Sequence, residues 1–329
     1  MNCRVNFRNL KKNAMIVGRR RLFSMAALKQ ISLAVWSLNL LLQAVAQQPK
    51  NAGTTPPADA IDAREIVRRS VETDHRNWEK ARNYTCQHRV VEKELDKSGK
   101  PKSAKTQTFD VTFYYDEPYS RLVQKDDKPL TPDEQKKADE QLNKFLEKRR
   151  NESEDSRKKR LARLEKERQE ERAFLRDVVN AYDFKLAGEE QVDGFDAWVI
   201  EATPRKGFHP TQPHADILAK VRGRLWIEKK EYNWVKAEAE VVDTISFGLF
   251  LARVHPGTKL SFVQMHVNDE VWLVRKFSMN ASARLALFKN AAFEQEDTFS
   301  NYRKFSTAVR ILPGAQEVSP EPATPAAPK

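Results

Sequence analysis

The sequence contains very little cysteine. Among 329 residues there are two, Cys3 and Cys86. Cys3 falls in an N-terminal segment that has the features of a cleaved signal peptide, so Cys86 is expected to be alone in the mature chain. A single thiol neither closes a disulfide within the chain nor supplies a cysteine-based zinc site, and the fold must then depend on an apolar core. In the strand-like segment 84–88, a small core residue is a more frequent role for Cys86 than a catalytic thiol.

Glycine is also scarce, and the sequence motifs of common enzymes are missing. The ten glycines form no phosphate-binding loop, and the chain has no Gly-x-Ser-x-Gly elbow, P-loop or dinucleotide fingerprint. His209, His214 and Asp216 share a proline-rich segment, but their spacing matches no strong zinc pattern. The sequence therefore identifies no catalytic residue, metal site or cofactor site, and we expect a protein that is not an enzyme.

Long hydrophobic runs are missing except near the N-terminus. Residues 31–46, ISLAVWSLNLLLQAVA, have the length of a signal-peptide core, and they end in the small residues that a signal peptidase requires. Asn39 and Gln43 interrupt the run, whereas a membrane span needs about 20 apolar residues. We therefore expect residues 1–46 to be a cleaved signal peptide and the mature protein to be exported.

The excess of positive charge lies mostly in the same N-terminal segment. The whole chain carries a formal charge of +12, but the first 46 residues contain eight basic side chains and no acidic one. Without them, 50 basic side chains face 46 acidic ones over 283 residues. The mature chain is thus only weakly basic, and no nucleic-acid partner is expected.

The first part of the mature chain reads as a linker, a helix and three strands. Residues 47–58 are rich in proline, glycine and threonine, which indicates a linker. Asp62 can cap the helix that follows, and Glu65 stands at the position of a capping box. Period-two alternation predicts strands over residues 84–95, 105–116 and 119–125.

A highly charged segment, residues 131–180, interrupts the strands. Thr131 and Pro132 provide a helix start, and the many glutamates and arginines at i,i+4 spacing support helices that have few core contacts. We expect a helical hairpin inserted into the domain. It is either a solvated insertion or a surface that contacts a membrane or a protein partner.

Further strands are predicted after the insertion, and most of the connections between them are short. The expected total is about eleven strands in one antiparallel sheet, so the fold class is mainly antiparallel β with helices (α+β), in the form of a curved half-open β-barrel. The proline-rich tail, residues 311–329, is expected to be disordered. The later strands are predicted over 182–187, 195–203, 221–229, 234–243, 259–267, 271–279, 281–289 and 297–306.

Two sequence blocks resemble a known family. Residues 186–204, LAGEEQVDGFDAWVIEATP, combine a Gly-Glu pair, a Val-Asp-Gly turn, an aromatic strand and a final proline. Residues 223–228, GRLWIE, are followed by VKAEA at 235–239 in the manner of a hairpin. In this order, after an export signal, the blocks resemble the LolA-like periplasmic lipoprotein-carrier superfamily, which also includes RseB-like regulators.

The resemblance implies a fold, a location and a ligand class. The fold would be an incomplete antiparallel barrel around helices, spanning residues 59–310, with the insertion at 131–180 as a departure from the family pattern. The location would be the periplasm. Its apolar concave cavity would hold acyl chains of a lipid or lipoprotein.

Candidate lining residues come from strands whose faces alternate between apolar and charged. In the strand at 233–243, Val235, Ala237 and Ala239 alternate with Lys236 and Glu238, and small side chains on a concave face would leave room for a ligand. The same residues could also be ordinary core beneath a helix. The full candidate set is Leu225, Ile227, Val235, Ala237, Ala239, Val263, Met265, Trp272 and Val274.

The apolar segment 245–254 follows a strand end and contains one glycine. It is either a lid over the cavity mouth, with Phe247, Phe250 and Leu251 as lid residues, or a loop inserted into the core. The leading functional expectation is a carrier of acyl chains across the periplasm. The alternative is an envelope regulatory or interaction protein of the same fold that senses lipid or lipoprotein and contacts a protein partner.

Overall fold

The computed structural model describes residues 62–212, 215–247, 252–285 and 289–305. The expected signal peptide, linker and C-terminal tail lie outside the described residues. No helix in the described ranges is long and apolar enough to cross a membrane.

The described strands form one sheet. Thirteen strands are present in these ranges, and all of their pairings are antiparallel. They are β1 (Tyr84–Leu95), β2 (Pro101–Tyr114), β3 (Glu117–Lys125), β4 (Lys128–Pro129), β5 (Tyr182–Val192), β6 (Phe195–Pro204), β7 (Val221–Glu228), β8 (Trp234–Val241), β9 (Ile245–Phe247), β10 (Ala252–Val254), β11 (Lys259–Val267), β12 (Val271–Leu285) and β13 (Lys289–Lys304).

The strand order leaves the sheet open. It runs β4-β3-β2-β1-β13-β12-β11-β8-β7-β6-β5. Off this path, β10 pairs with the C-terminal end of β12 and with β9. Among the described strands, β4 and β5 at the two ends do not pair with each other, so the sheet does not close into a barrel. The predicted fold class, a mainly antiparallel open sheet with helices, is confirmed.

The strand count differs from the expected eleven for a local reason. The segments predicted at 271–279 and 281–289 are one continuous strand, β12, because Met279 and Ala281 are both buried and the alternation does not break at Asn280. Strand β13 begins at Lys289, eight residues before the predicted start. The short strands β4, β9 and β10 bring the total to thirteen.

Helix α1 (Ala63–Ala81) precedes the sheet. Oδ1 of Asp62 accepts a hydrogen bond from the backbone N–H of Arg64 at 3.0 Å, as expected of an N-cap. The predicted role of Glu65 is different in the structure, where its carboxylate accepts hydrogen bonds from Arg68 and Arg69. These two guanidiniums lower the pKa of Glu65 to about 2.

Two helices form the expected charged hairpin. Helix α2 (Pro132–Arg150) starts with a full capping box between Thr131 and Glu134, and helix α3 (Glu154–Ala181) is capped by Ser153. The boundaries lie close to the predicted 131–180. A 3₁₀-helix at Ala215–Lys220 precedes β7.

Buried ion pairs fix the hairpin to the sheet. The carboxylate of Glu117, at the start of β3, accepts two hydrogen bonds from Arg149, from Nε at 2.9 Å and from Nη2 at 2.5 Å. Arg160 donates to Glu152 at 2.9 Å and to the carbonyl oxygen of Tyr115 at 2.9 Å. The side chains of Glu117 and Arg149 are only 4% and 10% exposed, and removing one would leave the other with a single longer ion pair of 3.5 Å, Arg149 to Glu152 or Glu117 to Arg163.

The main apolar cluster lies between the sheet and the helices. Helix α1 contributes Ile66 and Val67, and the last turns of α3 contribute Phe174, Val178 and Val179. The sheet contributes alternating residues from most of its strands, because side chains on one face recur with period two. The charged first half of α3 adds little to this cluster, as its sparse apolar residues predict.

We expect Glu117→Gln to lower the free energy of unfolding by about 1–3 kcal/mol, because the buried Arg149 guanidinium would lose its nearest carboxylate and keep only Glu152, at 3.5 Å. Urea denaturation of the purified mature protein measures this. The matched control is Glu154→Gln, which removes an exposed pair with Lys158 on the same hairpin and should change stability by less than about 1 kcal/mol. Equal effects of the two substitutions would contradict the structural role of the buried pair.

Candidate functional site

Three small residues lie side by side on the apolar face of the sheet. Ala202 of β6 pairs with Gly223 of β7, which pairs with Ala239 of β8. Cross-strand partners share a face, so together they form a shallow trough. Phe184 of β5 and Leu260 of β11 extend the row at its two ends, and at about 4.8 Å per strand the five residues span about 19 Å.

The trough is covered in the described conformation. Val178 of α3 lies above it, and the remaining void beside Val178, Tyr182 and Phe184 has a volume of about 10 Å³. This volume is at or below the smallest that holds one water molecule. At this point of the described structure the apolar face is therefore packed, and a ligand would have to displace the helix.

Helix α1 is anchored to the sheet by buried hydrogen bonds. Asn77 donates to the carbonyl oxygen of Trp272 at 2.7 Å and accepts from its backbone N–H at 2.8 Å. Ser70 accepts a hydrogen bond from the indole of Trp234 at 3.0 Å. The last turns of α3 meet the sheet through the apolar side chains of Phe174, Val178 and Val179. In the same turns, the buried carboxylate of Asp177 accepts hydrogen bonds from the backbone N–H groups of Thr211 and Gln212 in the loop after β6, each at 2.7 Å.

The structure brings together five of the nine candidate lining residues. They share the main apolar cluster with α1, with the end of α3 and with Ala202 of the trough. The five are Leu225, Ile227, Ala237, Ala239 and Val274.

The other four candidates lie elsewhere. Val235 and Trp272 belong to a separate cluster, and Met265 packs against a third one. Val263 pairs with Lys236 and with a second lysine of β12, so it lies on the charged face. Bulges in the β7–β8 and β11–β12 pairings change the side-chain alternation here, and period two alone does not reveal them.

The proposed lid segment is only partly within the described residues. Phe247 ends strand β9, while Phe250 and Leu251 lie outside the described residues. Strands β9 and β10 pair with each other on either side of this gap. The lid therefore stays a prediction.

A wide open groove of about 870 Å³ is lined by charged residues of the opposite face of the sheet, and Ala202, Gly223 and Ala239 of the trough also border it. Seven strands line it, and its charges are largely paired across strands. Examples are Arg222 with Glu240 at 2.6 Å and Arg224 with Glu201 at 2.8 Å. Compensated charges on a solvated sheet face explain the alternation of charged residues in β7 and β8.

Two arginines converge at the β5 end of the trough. Nη2 of Arg64 and Nη2 of Arg205 donate to the same carbonyl oxygen, that of Tyr182, at 3.1 and 3.2 Å. Nε of Arg205 also donates to Asp183 at 3.0 Å. Burial lowers the pKa of Arg64, and the charge of Arg205 lowers it further. Burial raises the pKa of the Tyr182 hydroxyl well above its usual range.

Several of these residues were not identified from the sequence. Ala202 and Gly223 are neighbours of Ala239 only through strand pairing, which places residues far apart in sequence side by side. Alternation in β6, where Trp198 and Ile200 precede Ala202, was the one available signal for its face. Arg64 carried no sequence signal.

The described residues hold no group of three or more histidine, cysteine, aspartate and glutamate side chains placed to bind a metal. His209 and Asp216 are described, whereas His214 lies outside the described residues. Cys86 is 3% exposed and belongs to the main apolar cluster.

No protein-family model matches the chain, and no curated protein matches it in sequence. Solved structures are similar to it. A DUF1329 family protein from Desulfovibrio piger has 15% identity, a TM-score of 0.26, and covers 76% of this chain and 94% of its own. A LolA superfamily protein from Nitrosomonas europaea has 10% identity, a TM-score of 0.27, and coverages of 75% and 95%.

A Vibrio parahaemolyticus domain described as an outer membrane lipoprotein-sorting protein has 11% identity, a TM-score of 0.26, and coverages of 75% and 94%. The LolA superfamily, named for one of these structures, is the family that the two sequence blocks resemble.

Proposed function

We propose that this is an exported protein that binds acyl chains of a lipid or lipoprotein and carries them across the periplasm. The observation that supports it is the row Ala202, Gly223 and Ala239, which is a trough of small side chains on an apolar face beneath the end of α3. An acyl chain lying along this row would replace the apolar side chains of α3. The predicted lining residues Leu225 and Ala237 are its neighbours in the same cluster.

The energetics permit such an exchange. Burial of an acyl chain contributes about 0.8 kcal/mol per CH₂ group, or on the order of 10 kcal/mol for one chain. The costs are the lost freedom of the ligand and the displacement of α3, both of which reduce the net affinity. The hydrogen bonds of Ser70 and Asn77 tie α1 to the sheet itself, whereas Asp177 ties the end of α3 to the loop after β6, so we expect α3 to move together with that loop.

A second candidate function is regulation through a protein partner. The charged hairpin supports it, because buried ion pairs hold α2 and α3 in one orientation while their outer faces remain exposed. A rigid charged surface is suited to a partner or membrane of complementary charge. The two functions differ in what happens to the ligand, which a carrier releases to an acceptor and a sensor retains.

Native mass spectrometry of the mature protein, gently isolated from the cell envelope, should show retained lipid or acylated protein. Delipidated protein should bind a fluorescent fatty acid and release it to acceptor vesicles. Retention with no release would favour the sensor over the carrier. A clean apo mass together with no fatty-acid binding would contradict both roles.

Ala239→Leu should weaken the binding of the fluorescent fatty acid about tenfold or more, because the larger side chain fills the trough. Its cost in stability should be about 1–3 kcal/mol, the usual range for overpacking. The control is Ala104→Leu at an exposed position of β2, which should change neither property appreciably. Unchanged binding in folded Ala239→Leu protein would place the ligand away from the trough.

A further inference from the structure

Two guanidiniums lie at the β5 end of the trough, although one is enough to satisfy the local hydrogen bonds. Arg205 by itself satisfies the end of α3. Its backbone N–H donates to the carbonyl oxygen of Ala181 at 2.7 Å, and its side chain binds both the carbonyl oxygen of Tyr182 and the carboxylate of Asp183. Arg64 adds a second positive charge against the same carbonyl, and its Nη2 is 3.8 Å from Oδ1 of Asp183.

Arg64 is poorly compensated for a residue of its burial. Its side chain is 17% exposed, and its Nη1 is buried without a hydrogen-bond partner. It also lies in the first turn of α1, where the helix dipole disfavours a cation. An unpaired guanidinium nitrogen out of contact with water costs free energy unless a ligand completes it. Burial, and after it the charge of Arg205, lowers the pKa of Arg64.

Arg64 lies at the end of the trough. Its guanidinium carbon lies 5.8 Å from the ring centroid of Phe184, the residue that begins the row Phe184, Ala202, Gly223 and Ala239. An apolar row that ends at two arginines matches an amphiphile, with the chain on the sheet and the charged end on the arginines. Asp183, the carboxylate between them, is 67% exposed and can turn to solvent when another anion replaces it.

We propose that Arg64 and Arg205 bind the anionic headgroup of the amphiphile, a carboxylate or a phosphate, whose chain lies along the trough. Arginine is suited to both groups because its planar fork donates two parallel hydrogen bonds to two oxygens. This assignment rests on the proposed acyl-chain function and adds the class of headgroup to it. Neutral amphiphiles of the same chain length are weaker ligands.

The test compares a fatty acid with the fatty alcohol of equal chain length, each competing with a fluorescent fatty acid at neutral pH. We expect the acid to bind about tenfold or more tightly, the size of one charge-assisted hydrogen bond. In Arg64→Met/Arg205→Met this preference should disappear while the affinity for the alcohol is unchanged. Arg64→Met alone, which leaves Arg205 to cap α3, should reduce the preference and remains informative if the double variant does not fold.

Arg224→Met is the matched control, because Arg224 pairs with Glu201 on the opposite face of the sheet and should keep the full preference. Equal affinity of the normal protein for acid and alcohol would overturn the headgroup site and leave acyl-chain binding intact. No binding of either would overturn the proposed function as well.

Two further ligands test whether the site accepts a phosphate headgroup and whether free phosphate binds it. A lysophosphatidic acid of the same chain length should share the preference if the site accepts phosphate, and its failure to do so would assign the site to carboxylates. Sodium phosphate without a chain should not compete at micromolar concentration. Competition by sodium phosphate at that level would overturn the assignment to an amphiphile.

Discussion

The central constraint on this protein is that one open antiparallel sheet has an apolar face which helices must shield from water. Helix α1 and the last turns of α3 provide that shield, and the main apolar cluster lies between them and the strands. The shield is uneven, because buried hydrogen bonds of Asn77 tie α1 to the sheet itself, whereas the end of α3 meets the sheet through apolar side chains and its Asp177 binds the loop after β6. An open sheet with one firmly held and one less firmly held helix gives a natural place for an apolar chain to enter. The small residues Ala202, Gly223 and Ala239 lie at that place.

Most charged side chains lie away from this apolar face. On the opposite face, arginines and glutamates of adjacent strands neutralise one another around a wide groove. Where the hairpin meets the sheet, buried charges are paired, such as Arg149 of α2 with Glu117 of β3. Buried ion pairs add little net stability over apolar packing, but they fix orientation, since a misplaced hairpin would leave charges buried and unpaired. The hairpin is therefore a rigid attachment rather than a part of the core.

Arg64 is the exception to this pattern. Most charged side chains of the described structure follow local rules, such as acids in the first turns of α2 and α3 and a capping box at Thr131. Arg64 instead sits at the positive end of a helix beside a second arginine, with one nitrogen unpaired. Residues that break local rules without compensation concentrate at functional sites. Arg64 also lies beside Phe184, which places its incompletely paired guanidinium at the end of the apolar trough.

The sequence alone was sufficient for properties that depend on local order. Alternation of apolar and polar residues predicted the antiparallel strands, capping residues predicted where the helices begin, and i,i+4 charge pairs predicted the hairpin. It was insufficient where strands meet. A bulge turned Val235 away from the main cluster, Val263 lies on the face opposite to Phe262, and strand pairing brought Ala202, Gly223 and Ala239 together although they are distant along the chain. Local propensity is set by each residue and its nearest neighbours, whereas the register between strands is set by the packing of the whole sheet. Only the tertiary structure could therefore decide which side chains share the trough.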